Sequence, residues 1–493
     1  MTAPGAGFDA AVRNSASGDR QARRRTPTNG RPMSHGLIRG VGLRGAVAIN
    51  VITMIGIGPL VTVPLVLGAL HGPLSLIGWL AGAGLALCDG LVWAELGSAY
   101  PGSGGTYGYL REVFGRNGLG RALAFLFVWQ TIFYAPLIQA SGYIGFANYA
   151  GYLVPSVAAT PWKLQLLAMT VGLVTLLALY RGITSIARIG ISLAIASVVT
   201  LLCVIVASYA HFSPAQAFAL PAHDSFWAGL GAGFGQALII AMYDYVGYNA
   251  SSCIGDEIVD PPRTLPRSIV LSILLVGTLY VLMQIGVLGA IPWQQIIPAA
   301  DGTLPPLGQH VASAIVEARF GVAAAVAVTV LVLVTAFASV YGNLLAFSRI
   351  PFAAALDGVF LKPFAHVHPK HRFPNVSLVA IGLLALPACF FSLNDVINAL
   401  TTGIVLVQSI AQTVALFVLR ARGERTPYRM WLFPVPAVIA LAGWIYVFVS
   451  AGRNAIAYGL VTVAAGVVVY LVRAVRAREW PFVLVPGGGQ TNR

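Results

Sequence analysis

Apolar residues in this chain come in long stretches separated by short polar segments. The stretches fall at 45–69, 73–98, 119–147, 162–180, 186–209, 226–251, 267–291, 321–347, 375–392, 395–419, 431–451 and 455–475. A helix crossing the hydrocarbon core of a bilayer needs about 20 mostly apolar residues. The strands of a membrane barrel would instead show alternating segments of about ten, and the sequence has none. The pattern predicts an all-α integral membrane protein with twelve transmembrane helices.

Composition removes the soluble alternative. Charged residues are 9% of the 493 and hydrophobic residues 57%, where a soluble domain carries about 25% charge. Too few charges remain to cover a water-soluble fold of this size. Residues 1–44 differ, with eight arginines against only Asp9 and Asp19. They are expected to form a disordered basic cytoplasmic tail, and 476–493 a cytoplasmic C-terminal tail. The first apolar stretch is too long and starts too late for a cleaved signal peptide.

The net charge of +14 could suggest nucleic acid, but its distribution gives another reason. With the N-terminus in the cytoplasm and twelve spans, the inside segments hold 27 of the 30 lysines and arginines; only Lys163, Arg319 and Arg453 fall outside. Cytoplasmic loops carry this excess of positive charge. The expectation is a multi-pass protein of the inner or plasma membrane with both termini cytoplasmic, lipid around it and no nucleic-acid partner. Cys88, Cys203, Cys253 and Cys389 are scattered singly, so neither a zinc site nor a disulfide framework has support. His366, His368 and His371 share no helical register and read as a solvated loop.

Two spans are interrupted. The first carries Met54-Ile55-Gly56-Ile57-Gly58-Pro59 in its middle, where glycine and proline weaken a helix. Unwound backbone at membrane depth is tolerated only against protein or a watery cavity. The sixth carries Met242-Tyr243-Asp244-Tyr245-Val246-Gly247-Tyr248-Asn249, and a carboxylate at that depth is a functional candidate by default. Broken helices at corresponding positions of two halves point to a transporter site built on an inverted repeat. A half-helix starting near Pro59 would aim its positive end at a carboxylate, and carbonyls freed by unwinding would suit an ammonium. A zwitterion is the natural ligand.

Four blocks carry a resemblance. They are Ile55-Gly56-Ile57-Gly58; Ala94-Glu95-Leu96 followed by Pro101-Gly102-Ser103-Gly104-Gly105-Thr106-Tyr107; Gly255-Asp256-Glu257-Ile258-Val259-Asp260-Pro261-Pro262-Arg263-Thr264-Leu265-Pro266-Arg267; and Leu356-Asp357-Gly358-Val359 leading to His366-Val367-His368-Pro369-Lys370. In this order, over about 45–475, the chain resembles the amino acid–polyamine–organocation superfamily. The resemblance implies a five-plus-five inverted repeat, with spans 1–5 in 45–209 and 6–10 in 226–419, followed by two C-terminal helices in 431–475. Helices 1 and 6 would be discontinuous. It also implies a permease, not an enzyme, moving amino acids or related amines by alternating access. Two departures stand out. Ile57 replaces the small hydroxyl residue usual between the glycines, with Pro59 following directly. Span 5 has no lysine; the position where some proton-coupled members carry one matches Ser197.

The expected substrate site comprises Ile55, Gly56, Ile57, Gly58, Tyr243, Asp244, Tyr245, Val246, Gly247 and Asn249, with Gln130 and Tyr134 on span 3. Tyr243 matches a family position that often gates the substrate; packing is the other reading. Asp244 would pair with a substrate amine, accept a proton, or hydrogen-bond the unwound backbone. Asp89 is expected in an interhelical hydrogen bond, and Glu95, Asp256 and Glu257 in gating contacts with inside arginines. Thr335 and Ser339, four apart on one helix face, join Ser197 and Asp244 as candidates for ion coupling by H+ or Na+; Thr335 and Ser339 also suit helix packing. No cofactor is expected. The rival readings are a polyamine-selective transporter, an amino-acid sensor on the same scaffold, and a channel, which would need a continuous polar stripe.

Overall fold

The computed structural model describes residues 40–102, 104–181, 186–219, 223–299, 303–369 and 373–482. Among them the structure is helical, with one isolated parallel bridge between Val41 and Ile258. The longer helices are α1 (Leu43–Met54), α2 (Gly58–Leu70), α3 (Ser75–Ala99), α4 (Thr106–Phe114), α5 (Leu119–Leu153), α6 (Pro161–Arg181), α7 (Ile186–Tyr209) and α8 (His223–Tyr245). They continue with α9 (Pro261–Ala290), α10 (Val311–Leu356), α11 (Asn375–Ala388), α12 (Leu393–Ile404), α13 (Ile410–Ala421), α14 (Val435–Ser450) and α15 (Arg453–Ala477).

Each of the twelve apolar stretches contains helix. By length and composition, seven described helical segments can cross a membrane, or eight if α1 and α2, bent by 48° at their break, form one span. The apolar part of α7 (Ala194–Tyr209), α11 and α14 are shorter. Bulky apolar side chains cover the outer faces: Val322, Val326, Val330 and Val334 repeat every four residues along α10, all exposed. In water such a stripe would drive aggregation; against lipid tails it is at rest, and the protein is a multi-pass membrane protein.

Several boundaries depart from the expected ones. Residues 40–44, expected in the disordered tail, are held. Gly40 and Val41 donate to the Glu257 carbonyl, Val259 donates to Val41, and α1 begins at Leu43. Residues 1–39 and 483–493 lie outside the described residues. The stretch expected to begin at 321 is preceded by another helical segment, because Gly321 (φ 80°, ψ 173°) breaks α10 without ending it. The loop after the second stretch contains α4, amphipathic and half sunk against α5.

Ion pairs join the polar loops at one end. Arg420 bonds Glu95, Arg111 bonds Asp357, Arg349 lies 3.4 Å from Glu257, and Arg121 lies 2.7 Å from Glu479. Glu95 is fully buried and accepts also from the Met430 amide at 2.7 Å. Each of these pairs links two segments that the charge count assigns to the same side. Glu317, which accepts from the Tyr152 hydroxyl, and Arg319, which donates to the Ala290 carbonyl, bond residues of the opposite set.

Candidate functional site

The break in the first span is a short non-helical turn. Helix α1 stops at Met54 and α2 starts at Gly58 with Pro59 as its second residue, where proline's missing N–H costs nothing. Helix α8 ends at Tyr245, and a single helical turn resumes at Ala250. The two breaks lie backbone to backbone. A Cβ on Gly247 would fall 2.7 Å from the Thr53 carbonyl carbon and 2.9 Å from the Met54 nitrogen, and Gly247 has φ +130°. Only glycine suits both the conformation and the approach.

Side chains stitch the broken ends. The Tyr280 hydroxyl on α9 donates to the Met54 carbonyl at 2.7 Å and the Asp244 carbonyl at 3.3 Å. Thr53 donates to the Gly247 carbonyl at 2.8 Å, and Asn50 accepts from the Ser251 amide at 2.8 Å. Other groups of the turn stay open. Among the described residues, the Ile57 and Gly58 amides have no acceptor, and the Ile55 and Gly56 carbonyls have no donor. Buried backbone groups are nearly always paired, so these four stand out within the turn.

A cavity of about 70 Å³ lies against it. Of the expected site residues, Gly56, Ile57, Gly58, Tyr134, Tyr243, Asp244, Val246, Gly247, Asn249 and Ser339 line it. Its lining also includes the apolar Ile138, Val340, Phe347, Leu400 and Ile404 beside the polar Ser141, Asn343 and Gln408. Tyr243 donates to Ser141 at 2.9 Å, and Tyr134 donates to Gln408 at 2.9 Å. Asp244 is 2% exposed and accepts from the Thr62 hydroxyl at 2.5 Å through Oδ2, while Oδ1 has no partner. Oδ1 lies so close to Gly58 that a Cβ there would collide with it.

The remaining expected residues sit behind this lining. Ile55 packs in the core, and Tyr245 points away, donating to the Trp79 carbonyl at 3.3 Å. Gln130 is buried one turn along α5 from Tyr134, with both amide atoms unpartnered. Ser339 presses on Gly56, where a Cβ would fall 2.5 Å from its hydroxyl. Thr335 lies 3.0 Å from Thr200 on α7, and the buried Ser197 hydroxyl has no partner. Asp89 bridges helices, accepting from Tyr248 at 2.5 Å and the Trp444 indole at 2.9 Å. No group of three potential metal-binding side chains occurs among the described residues.

Sequence reasoning missed Thr62, Ser141, Asn343 and Gln408. Gln408 sits in a π-helical turn, Val405–Ser409, between α12 and α13, a distortion frequent at functional sites. Nothing in the local sequence marks it, because the turn breaks no hydrophobic pattern.

Comparison with known proteins adds independent evidence. A family model described as amino acid permease matches residues 42–472. The serine/threonine exchanger SteT of Bacillus subtilis is 27% identical, covering 84% of this chain and 92% of its own length. The branched-chain amino acid permease BcaP of the same organism is 25% identical, with 85% and 91% covered. The human large neutral amino acids transporter small subunit 2 is 28% identical over 69% of this chain and 62% of its own.

Proposed function

The chain belongs to the amino acid permease family, and from that premise we propose that it carries neutral amino acids across the membrane by alternating access. The observation that carries the reading is the cavity at the two breaks. Two unpaired amides, Ile57 and Gly58, lie at the positive start of α2, and two unpaired carbonyls, Ile55 and Gly56, lie at the end of α1. A carboxylate and an ammonium on one carbon complement these groups. The apolar lining residues Ile138, Val340, Phe347, Leu400 and Ile404 suit an aliphatic side chain. The relatives named for serine and threonine, branched-chain and large neutral amino acids agree with an uncharged substrate.

Alternating access needs two halves that move against each other. Twelve spans in a five-plus-five inverted repeat would supply them, with α1–α2 and α8 as the discontinuous helices. The packing supports this reading: α3 lies along α9 and α5 along α10, which pairs the second span with the seventh and the third with the eighth. The ion pairs that join only same-side segments support the grouping of these segments on one side, and the charge count makes that side cytoplasmic.

The test is uptake into proteoliposomes of labelled L-serine, L-threonine, L-leucine and L-isoleucine, with putrescine as the amine control. Saturable uptake of one or more amino acids, accelerated by the same amino acid preloaded inside, is the expected result. Binding without flux would make the protein a sensor, and uptake of putrescine alone would make the substrate a polyamine.

A further inference from the structure

The anion end of the proposed site already holds an anion-forming group of the protein's own. Helix α2 presents its positive end at Gly58, and the Asp244 carboxyl lies there, one oxygen against Gly58 and the other on the Thr62 hydroxyl in the next turn. Its Oδ1 is buried and lacks a partner, and Asp244 is among the residues that line the cavity. The carboxyl therefore sits beside the first turn of the half-helix that the reading above gives to the substrate carboxylate.

Among the described residues, no positively charged side chain lines the cavity beside it. The titratable side chains around it are Tyr243 and Tyr245 on α8, Tyr134 and Tyr149 on α5, Tyr280 on α9 and Cys253 after the break; the parts of α1, α2, α10 and α12 that line the cavity present none. Asp89 on α3 is engaged elsewhere, by Tyr248 and Trp444. Lysine, arginine and histidine are absent from the cavity lining.

We infer that Asp244 and the substrate carboxylate compete for the start of α2, so that the substrate binds with Asp244 protonated and carries one proton with it. Two carboxylates sharing one buried site cannot both stay ionised. When the substrate enters, a proton from water on that side forms an O–H bond with Asp244 Oδ1, which can then donate to the substrate carboxylate. When the substrate leaves on the other side, that bond breaks, the proton goes to water, and the ionised carboxylate again faces Gly58 and Thr62. Nothing is oxidised or reduced, and one zwitterion and one proton move together. The inference rests on the zwitterion seating proposed above.

The test uses the full chain in proteoliposomes with a pH-sensitive dye inside and L-leucine outside. The wild type is expected to acidify the lumen as leucine enters, and a gradient with the inside alkaline should drive accumulation. Asp244→Asn, fixed in a neutral form, should abolish the leucine-dependent acidification, and any exchange that remains should not vary between pH 5 and pH 8. Thr62→Val removes a hydrogen bond to the ionised carboxylate. It should move the midpoint of pH-dependent uptake upward by about one pH unit, the scale of one hydrogen bond to a charged group. Saturable leucine uptake without acidification would overturn the coupling and leave the permease reading intact. Acidification by Asp244→Asn equal to wild type, or an unmoved midpoint in Thr62→Val, would overturn the assignment to Asp244. Absence of uptake for all four amino acids would instead refute the permease reading, and this inference with it.

Discussion

Gly247 and Gly58 do opposite jobs at the same site. Gly247 lets two backbones touch, so Gly247→Ala meets both the φ of +130° and a collision with Thr53 and Met54. A destabilisation of about 1–3 kcal/mol is expected, seen as a lower melting temperature in detergent. Gly58 leaves room for Asp244 and the cavity. Gly58→Leu should reduce uptake at least tenfold on the scale of about 1.4 kcal/mol per decade, while the protein still reaches the membrane on a blot of washed membranes. Uptake at the wild-type rate would show that the space beside Gly58 is not used. Both glycines and Asp244 stand out in the sequence because glycine, proline and charge are anomalies inside an apolar span. Ser141, Asn343 and Gln408 do not, since small polar residues are scattered through most spans and only packing decides which of them face the cavity.

Among the elements, the broken helices depend on Tyr280, a residue of neither. Its hydroxyl serves the Met54 and Asp244 carbonyls together. Tyr280→Phe leaves both buried carbonyls without this donor, which costs about 1–3 kcal/mol. Thermal unfolding in detergent should show the loss, and Tyr280→Trp, which removes the hydroxyl and adds bulk, should do no better. The sequence marks where each helix breaks through Gly58–Pro59 and Gly247, but it holds no sign of the tie. The tyrosine lies 226 residues from Met54 in an otherwise ordinary apolar helix.

For the whole molecule, the ion pairs and the charge count describe one face. Glu95 is fully buried and bound by Arg420, so Arg420→Ala would strand a buried carboxylate at a cost of about 3–5 kcal/mol. Arg420→Ala should lower the melting temperature more than Lys163→Ala, which removes a charge of the other set that lies over the Trp162 ring. Cysteine labelling in a background freed of native cysteines checks the orientation. Lys362→Cys should react only after cells are permeabilised, and Lys163→Cys should react in intact cells with an impermeant reagent; the reverse pattern would invert the proposed topology.

The membrane class, the all-helical fold and the two breaks were all legible in the sequence. They follow from hydrophobicity, charge and backbone conformation, which act locally and need no neighbour. Which broken ends meet, that Asp244 turns toward Gly58 and Thr62, and that Tyr245 and Gln130 lie behind the cavity were decided only by the tertiary structure. The physical reason lies in the solvent. In lipid nearly every face of a helix is apolar, so the hydrophobic pattern that marks the buried side of a soluble helix carries little information here. Side-chain direction is then set by close packing and by pairing of the few polar groups across helices far apart in the chain.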